Sequence, residues 1–148
     1  MTDVDVVIVG AGCAGLAAAK RLRAAGVSFR VVEAMDRILP TYDAELTKPV
    51  AKRLKELGVT VILGAKAKGL SKDGKALEIE QNGKAEAIPA DKVLVTVGRK
   101  PLTDGWGREN LVLDMDGRHL KIDARCETSM RGVFAIGDVR SGSVKRVA

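Results

Sequence analysis

At 148 residues and 46% hydrophobic side chains, the sequence suits one globular domain, residues 1 to 148, and leaves no room for separate cofactor and substrate domains. No run reaches membrane-spanning length and no basic region precedes the first apolar stretch, so a cytoplasmic protein with no membrane partner and no signal peptide is expected. The net charge of +6 does not point to nucleic acid, because Lys and Arg are scattered among 19 acids and the four aromatics, Phe29, Tyr42, Trp106 and Phe134, make no stacking platform.

The chain opens with an apolar run, Val6 to Val9, that meets Gly10-Ala11-Gly12-Cys13-Ala14-Gly15. A helical pattern follows from Cys13 to about Ala25, closing at Gly26, and then a second apolar run, Val31-Val32, stops at Glu33. This is strand, glycine turn, helix, strand. In a dinucleotide-binding unit Gly10 turns the chain off the strand, Gly12 admits a pyrophosphate, and Gly15 lets helix and strand pack closely. The helix N-terminus offers free N–H groups and partial positive charge to the phosphates. Glu33, 18 residues beyond Gly15, is placed to accept hydrogen bonds from both hydroxyls of an adenosine ribose and to repel a 2′-phosphate. Lys20, Arg21 and Arg23 complement the helix dipole.

The loop from Ala34 to Pro40 leaves the carboxyl end of the second strand, where ligands of open α/β sheets lie, and Arg37 in it could cover an adenine or stand as a surface arginine. Leu46, Val50, Leu54 and Leu57 form one apolar stripe on a second helix within Asp43 to Leu57, with Thr47 expected as its cap because Pro49 suits only a first turn. Val59 to Leu63 reads as a third parallel strand. Three short alternating segments follow, Ala65 to Leu70, Ala76 to Gln81 and Lys84 to Ile88, broken by Asp73-Gly74 and Asn82-Gly83. They predict an antiparallel meander with no chemistry of its own.

Asp91 to Gly98 predicts a further buried parallel strand. The long connection after Arg99 carries Trp106 and a short strand at His119 to Ile122; His119 has no acid or nucleophile patterned beside it and reads as a surface residue. Val133 to Ile136 predicts a strand ending in Gly137-Asp138-Val139, with a helix opening at Ser141. Asp138 is either a helix cap or an acceptor for a ligand hydroxyl. Cys13 and Cys126 form no CxxC pair, so neither a metal site nor a redox disulfide follows from them.

These motifs resemble the flavin-dependent pyridine nucleotide and disulfide oxidoreductases over nearly the whole chain. Gly10, Gly12, Gly15 and Glu33 match that family's N-terminal motif, and Thr128, Phe134, Gly137 and Asp138 match its later one, whose Asp holds the ribityl chain of FAD. Thr96-Val97-Gly98 resembles the family's turn near the cofactor, followed by Arg99-Lys100-Pro101. Residues 5 to 34 resemble the start of amine-oxidase-type flavoproteins, 36 to about 101 the NAD domain of dihydrolipoamide dehydrogenases, and 137 to 148 the flavin-contacting end of thioredoxin-reductase-like proteins.

The resemblance implies a Rossmann-like, doubly wound α/β fold with an antiparallel meander crossover. It implies FAD as cofactor, held by Gly10, Gly12, Cys13, Ala14, Gly15, Glu33, Ala34, Arg37, Val97, Gly98, Gly137, Asp138 and Val139, with Arg146 and Val147 approaching the flavin. The family's redox cysteine pair, its His-Glu base and its second nucleotide domain have no match. The expectation is therefore a monomeric minimal flavoprotein, engineered or recombined, with redox or photoredox activity from the flavin alone. Two alternatives stand beside it, an NAD(H)-binding module and a non-catalytic chimeric scaffold.

Overall fold

The computed structural model describes residues 3–141, and the chain divides into two compact units, Met1–Gly98 and Arg99–Ala148. The first unit holds β1 (Val4–Val9), α1 (Cys13–Ala24), β2 (Phe29–Val32), α2 (Ala44–Glu56), β3 (Val61–Ile62), β4 (Ala65–Leu70), β5 (Ala76–Gln81) and β6 (Lys84–Val95). Six strands form one sheet in the order β3-β2-β1-β6-β5-β4. β1 runs parallel to β2 and to β6, and β2 parallel to β3, so the βαβαβ reading and the mixed α/β class hold.

From Val6 to Val9 β1 is apolar on both faces, and both are packed. Ile8 packs with Leu16, Ala19, Val31, Leu54 and Val59 beneath the two helices. Val7, one residue earlier and therefore facing the other way, packs with Val32, Ala65, Leu77, Ile79 and Ile88. Ile8 and Val7 are fully buried, which at roughly 1.5–3 kcal/mol per buried aliphatic side chain makes β1 the axis of the unit.

The meander forms over the expected segments, with Asn82 at φ 53° and Gly83 at φ 74° making the left-handed two-residue turn that Asn-Gly favours. Its last strand departs from expectation. β6 does not stop at Ile88 but continues to Val95, pairing antiparallel with β5 up to Pro89 and parallel with β1 from Ala90. One strand thus does the work of the two that the sequence suggested.

α2 also differs. Its cap is Asp43, whose carboxylate accepts from the Glu45 N–H at 2.8 Å, and not Thr47, which lies inside the helix with its hydroxyl donating to the Ala44 carbonyl. Pro49 is within the helix, where its ring removes a single backbone donor. Of the expected apolar stripe only Leu54 is buried; Leu46 is 65% exposed, and Val50 and Leu57 are about one-third exposed at 37% and 36%.

In the second unit β7 (Met115–Asp116) and β8 (His119–Leu120) form a hairpin, and short 3-10 turns cover Arg108–Asn110 and Gly137–Val139. The strand expected at Val133 to Ile136 is reduced to one isolated bridge between Glu127 and Phe134. Phe134 and Ile136 are exposed, since no described strand of this unit flanks the segment. Among the described residues no helix is long and apolar enough to cross a membrane.

Candidate functional site

The first unit carries a cleft of about 740 Å³ at the carboxyl ends of β1, β2 and β6. Its floor is the glycine turn, and each glycine there has a measurable reason. Gly10 has φ 107°, and a Cβ on it would meet the Thr96 carbonyl oxygen at 2.8 Å. A Cβ on Gly15 would lie 1.9 Å from the Gly10 carbonyl oxygen, so α1 can begin this close to the strand only with glycine. A Cβ on Gly12 would meet nothing within 4 Å; this is open space above the helix start. Thr96 locks the turn from the other side, its hydroxyl donating to the carbonyls of Val9 and Gly10 at 2.9 and 3.0 Å.

α1 starts at Cys13 without any side chain capping it. Its first-turn N–H groups have no intrahelical acceptor and open toward the cleft, a natural place for an anion. The Cys13 thiol is exposed, 3.3 Å from the Tyr42 hydroxyl.

Glu33 stands on the cleft wall at the tip of β2, 8% exposed. Its Oε2 accepts from the Ala11 N–H at 2.7 Å and its Oε1 from the Met35 N–H at 2.9 Å. The carboxylate is therefore fixed to the glycine loop itself, and the loop is tied again by the Leu39 N–H donating to the Ala11 carbonyl at 2.9 Å. Each carboxylate oxygen retains a lone pair for a further donor.

Gly10, Gly12, Cys13, Ala14, Glu33, Ala34, Val97 and Gly98 all line the cleft, and Gly15 lies beneath it. Arg37 does not line it: its guanidinium donates to the Pro40 carbonyl at 2.9 Å, which holds the loop whose Pro40 and Thr41 do. Sequence reading missed Ala65, Lys66 and Ala67. The meander has a part in the site after all, because β4 begins where the Ala65 N–H donates to the Glu33 carbonyl at 2.9 Å. The signal was slight, three residues without chemistry of their own except the Lys66 charge.

In the second unit Gly137, Asp138 and Val139 form the 3-10 turn, and Asp138 pairs with Arg99 at 2.8 Å with both side chains largely exposed. Such a pair is weak and leaves carboxylate lone pairs open. Arg146 and Val147 lie outside the described residues. Among the described residues no group of His, Cys, Asp and Glu could hold a metal ion.

The cradle fits an adenine dinucleotide: room over Gly12, an uncapped helix start, and a carboxylate one wall away. Comparison with known proteins agrees. A family profile described as pyridine nucleotide-disulphide oxidoreductase matches residues 2–148. Dihydrolipoyl dehydrogenase of Pseudomonas aeruginosa is 51% identical over 134 residues, 90% of this chain; the match spans 29% of that protein's length. Among solved structures, an NAD-dependent persulfide reductase from A. fulgidus superposes with a TM-score of 0.72 at 30% identity, covering 93% of this chain and 25% of that one. The water-forming NADH oxidase of Lactobacillus brevis, bound to NADH, gives 0.74 at 24% identity, covering 92% and 30%, and its engineered NADPH oxidase variant, bound to NADPH, gives 0.73 at 21%, also covering 92% and 30%.

Proposed function

Since this chain belongs to the pyridine nucleotide-disulphide oxidoreductase family, whose cofactor is FAD, we propose that it is a dinucleotide-binding domain of a redox enzyme, its first unit gripping the adenosine diphosphate half that FAD and NAD(H) share. The observation that carries this reading is the Glu33 carboxylate hydrogen-bonded to the glycine loop beside an uncapped helix start. Cys13 and Ala14 N–H groups serve the pyrophosphate above Gly12, and Glu33 serves the ribose hydroxyls with its remaining lone pairs. The bound flavin or nicotinamide ring supplies the redox chemistry, while these residues bind and orient it. Assignment of the FAD ribityl chain to Asp138, and of a monomeric state, are parts of the same proposal that rest on the family motif and the chain's size.

One observation favours NAD(H) as the occupant of the glycine loop. The engineered NADPH oxidase carries changes at a glycine, an aspartate, an alanine, a methionine and a proline, spaced by 18, 1, 1 and 5 residues. This chain has Gly15, Glu33, Ala34, Met35 and Pro40 at that spacing, the set before the changes with Glu in place of Asp. Four of those five line the cleft. A 2′-phosphate would bring negative charge against Glu33.

Calorimetric titration with FAD, NADH and NADPH tests both points. NADPH binds at least about tenfold more weakly than NADH, a gap of roughly 1.4 kcal/mol that Glu33→Gln narrows. NADH that displaces FAD puts both on one loop; binding without competition assigns the loop to NAD(H) and leaves FAD to Asp138, whose change to Ala then weakens FAD alone. Equal affinity for NADH and NADPH, or no binding of any of the three, overturns the reading.

A further inference from the structure

The half-exposed apolar stripe of α2 leads to a second surface, independent of the dinucleotide cleft. α1 and α2 lie on one face of the sheet, since Leu16, Ala19 and Leu54 enter the same core cluster. Between them runs an apolar groove of about 780 Å³. Leu16, Ala17, Val50, Leu54 and Leu57 form its walls and floor, while Lys20, Arg23 and Arg53 stand along it. α1 contains no acidic residue at all, and among the described residues the one acidic partner of Arg53 is Glu56, in an exposed pair at 3.1 Å that is weak and open to exchange. The groove is therefore apolar in its depth and cationic along its margins.

We propose that this groove docks an amphipathic helix of a protein partner, apolar on the face that enters and bearing carboxylates along both edges of that face. The walls are two helices presenting residues at helical spacing, Leu16, Lys20 and Arg23 on one and Val50, Leu54 and Leu57 on the other, which is the ridge pattern that receives a third helix. The stretch of α1 that lines the groove runs from Leu16 to Ala24, which at about 1.5 Å per residue gives a length of about 12 Å, enough for two turns of a guest. Charge selects the guest. Carboxylates at its edges meet Lys20, Arg23 and Arg53, and a cationic helix meets repulsion from the same three. A second copy of this chain is disfavoured on the same ground, because a two-fold pairing through this face sets those three cations against themselves.

The test uses two fluorescent synthetic peptides of about 18 residues with one leucine face, flanked in one by glutamates and in the other by lysines. By anisotropy with the whole chain, the glutamate peptide binds at least about tenfold tighter than the lysine peptide and weakens as salt is raised. Amide shifts map to α1 and α2. Lys20→Glu combined with Arg23→Glu reverses the preference, and unchanged circular dichroism shows that the double variant is folded. Equal affinity for the two peptides, no binding of either, shifts confined to other elements, self-association through this face by light scattering, or capture by anionic phospholipid vesicles with no peptide binding each overturns the proposal.

Discussion

A methyl group separates two glycines that look alike in the sequence. On Gly15 it would sit 2.7 Å from the Thr96 hydroxyl and 1.9 Å from the Gly10 carbonyl oxygen, which is backbone and can retreat only if the turn after β1 moves. On Gly12 it would touch nothing. Gly15→Ala accordingly destabilises the fold by about 1–3 kcal/mol, the usual range for overpacking, while Gly12→Ala costs less than about 1 kcal/mol as a poorer helix cap yet weakens dinucleotide binding. Chemical denaturation of the two variants beside a binding titration checks this. Equal stability loss in both would mean that the turn relaxes around the added methyl.

Between elements, β1 and β2 are joined at their starts by a clasp that pH can open. The Ser28 hydroxyl donates to Asp5 Oδ2 at 2.6 Å and the Ser28 N–H to the same oxygen at 2.8 Å. These bonds, the hydroxyl's first, hold the Asp5 carboxyl below the ordinary aspartate range. A depressed folded-state pKa contributes stability above the unfolded value, about 3.9, and loses it as pH falls through the folded one. Ser28→Ala moves the Asp5 titration, followed by carboxyl carbon shifts, upward toward the ordinary value and makes acid unfolding begin at higher pH. A titration that does not move would contradict the clasp. Elements were legible in the sequence wherever a residue had only one physical use. Gly10, Gly15 and Asn82-Gly83 gave the turns, and Glu33 gave the end of the second strand, now a wall of the cleft. They were not legible where two answers cost about the same. Pro89-Ala90 stands between an alternating run and a near-continuously apolar one, so two strands are expected where β6 runs straight through. Asp43 and Thr47 are both good caps, and the backbone geometry at Asp43 decided between them. Val133 to Ile136 has strand composition, but among the described residues its one pairing is the isolated bridge from Phe134 to Glu127.

At the scale of the whole molecule, the two units carry different kinds of information. The first has a closed account: a buried apolar cluster on each side of β1, a cleft at the strand ends, and a carboxylate bonded to the glycine loop. The second has short turns, an exposed Arg99–Asp138 pair, and exposed Leu102, Val112, Phe134 and Ile136. The chain spans 29% of its dihydrolipoyl dehydrogenase relative, and the activity of such a whole enzyme is a property to be tested and not one carried over. What the first unit holds can be asked without that enzyme, by titrating the labelled chain with ADP-ribose, which has the shared half of FAD and NAD(H) and neither ring, and following backbone amide resonances. The account predicts shifts at Gly12 to Gly15, at Glu33 to Met35 and at Ala65 to Ala67, with the second unit silent. Shifts elsewhere, or none as the ligand reaches millimolar concentration, would contradict it.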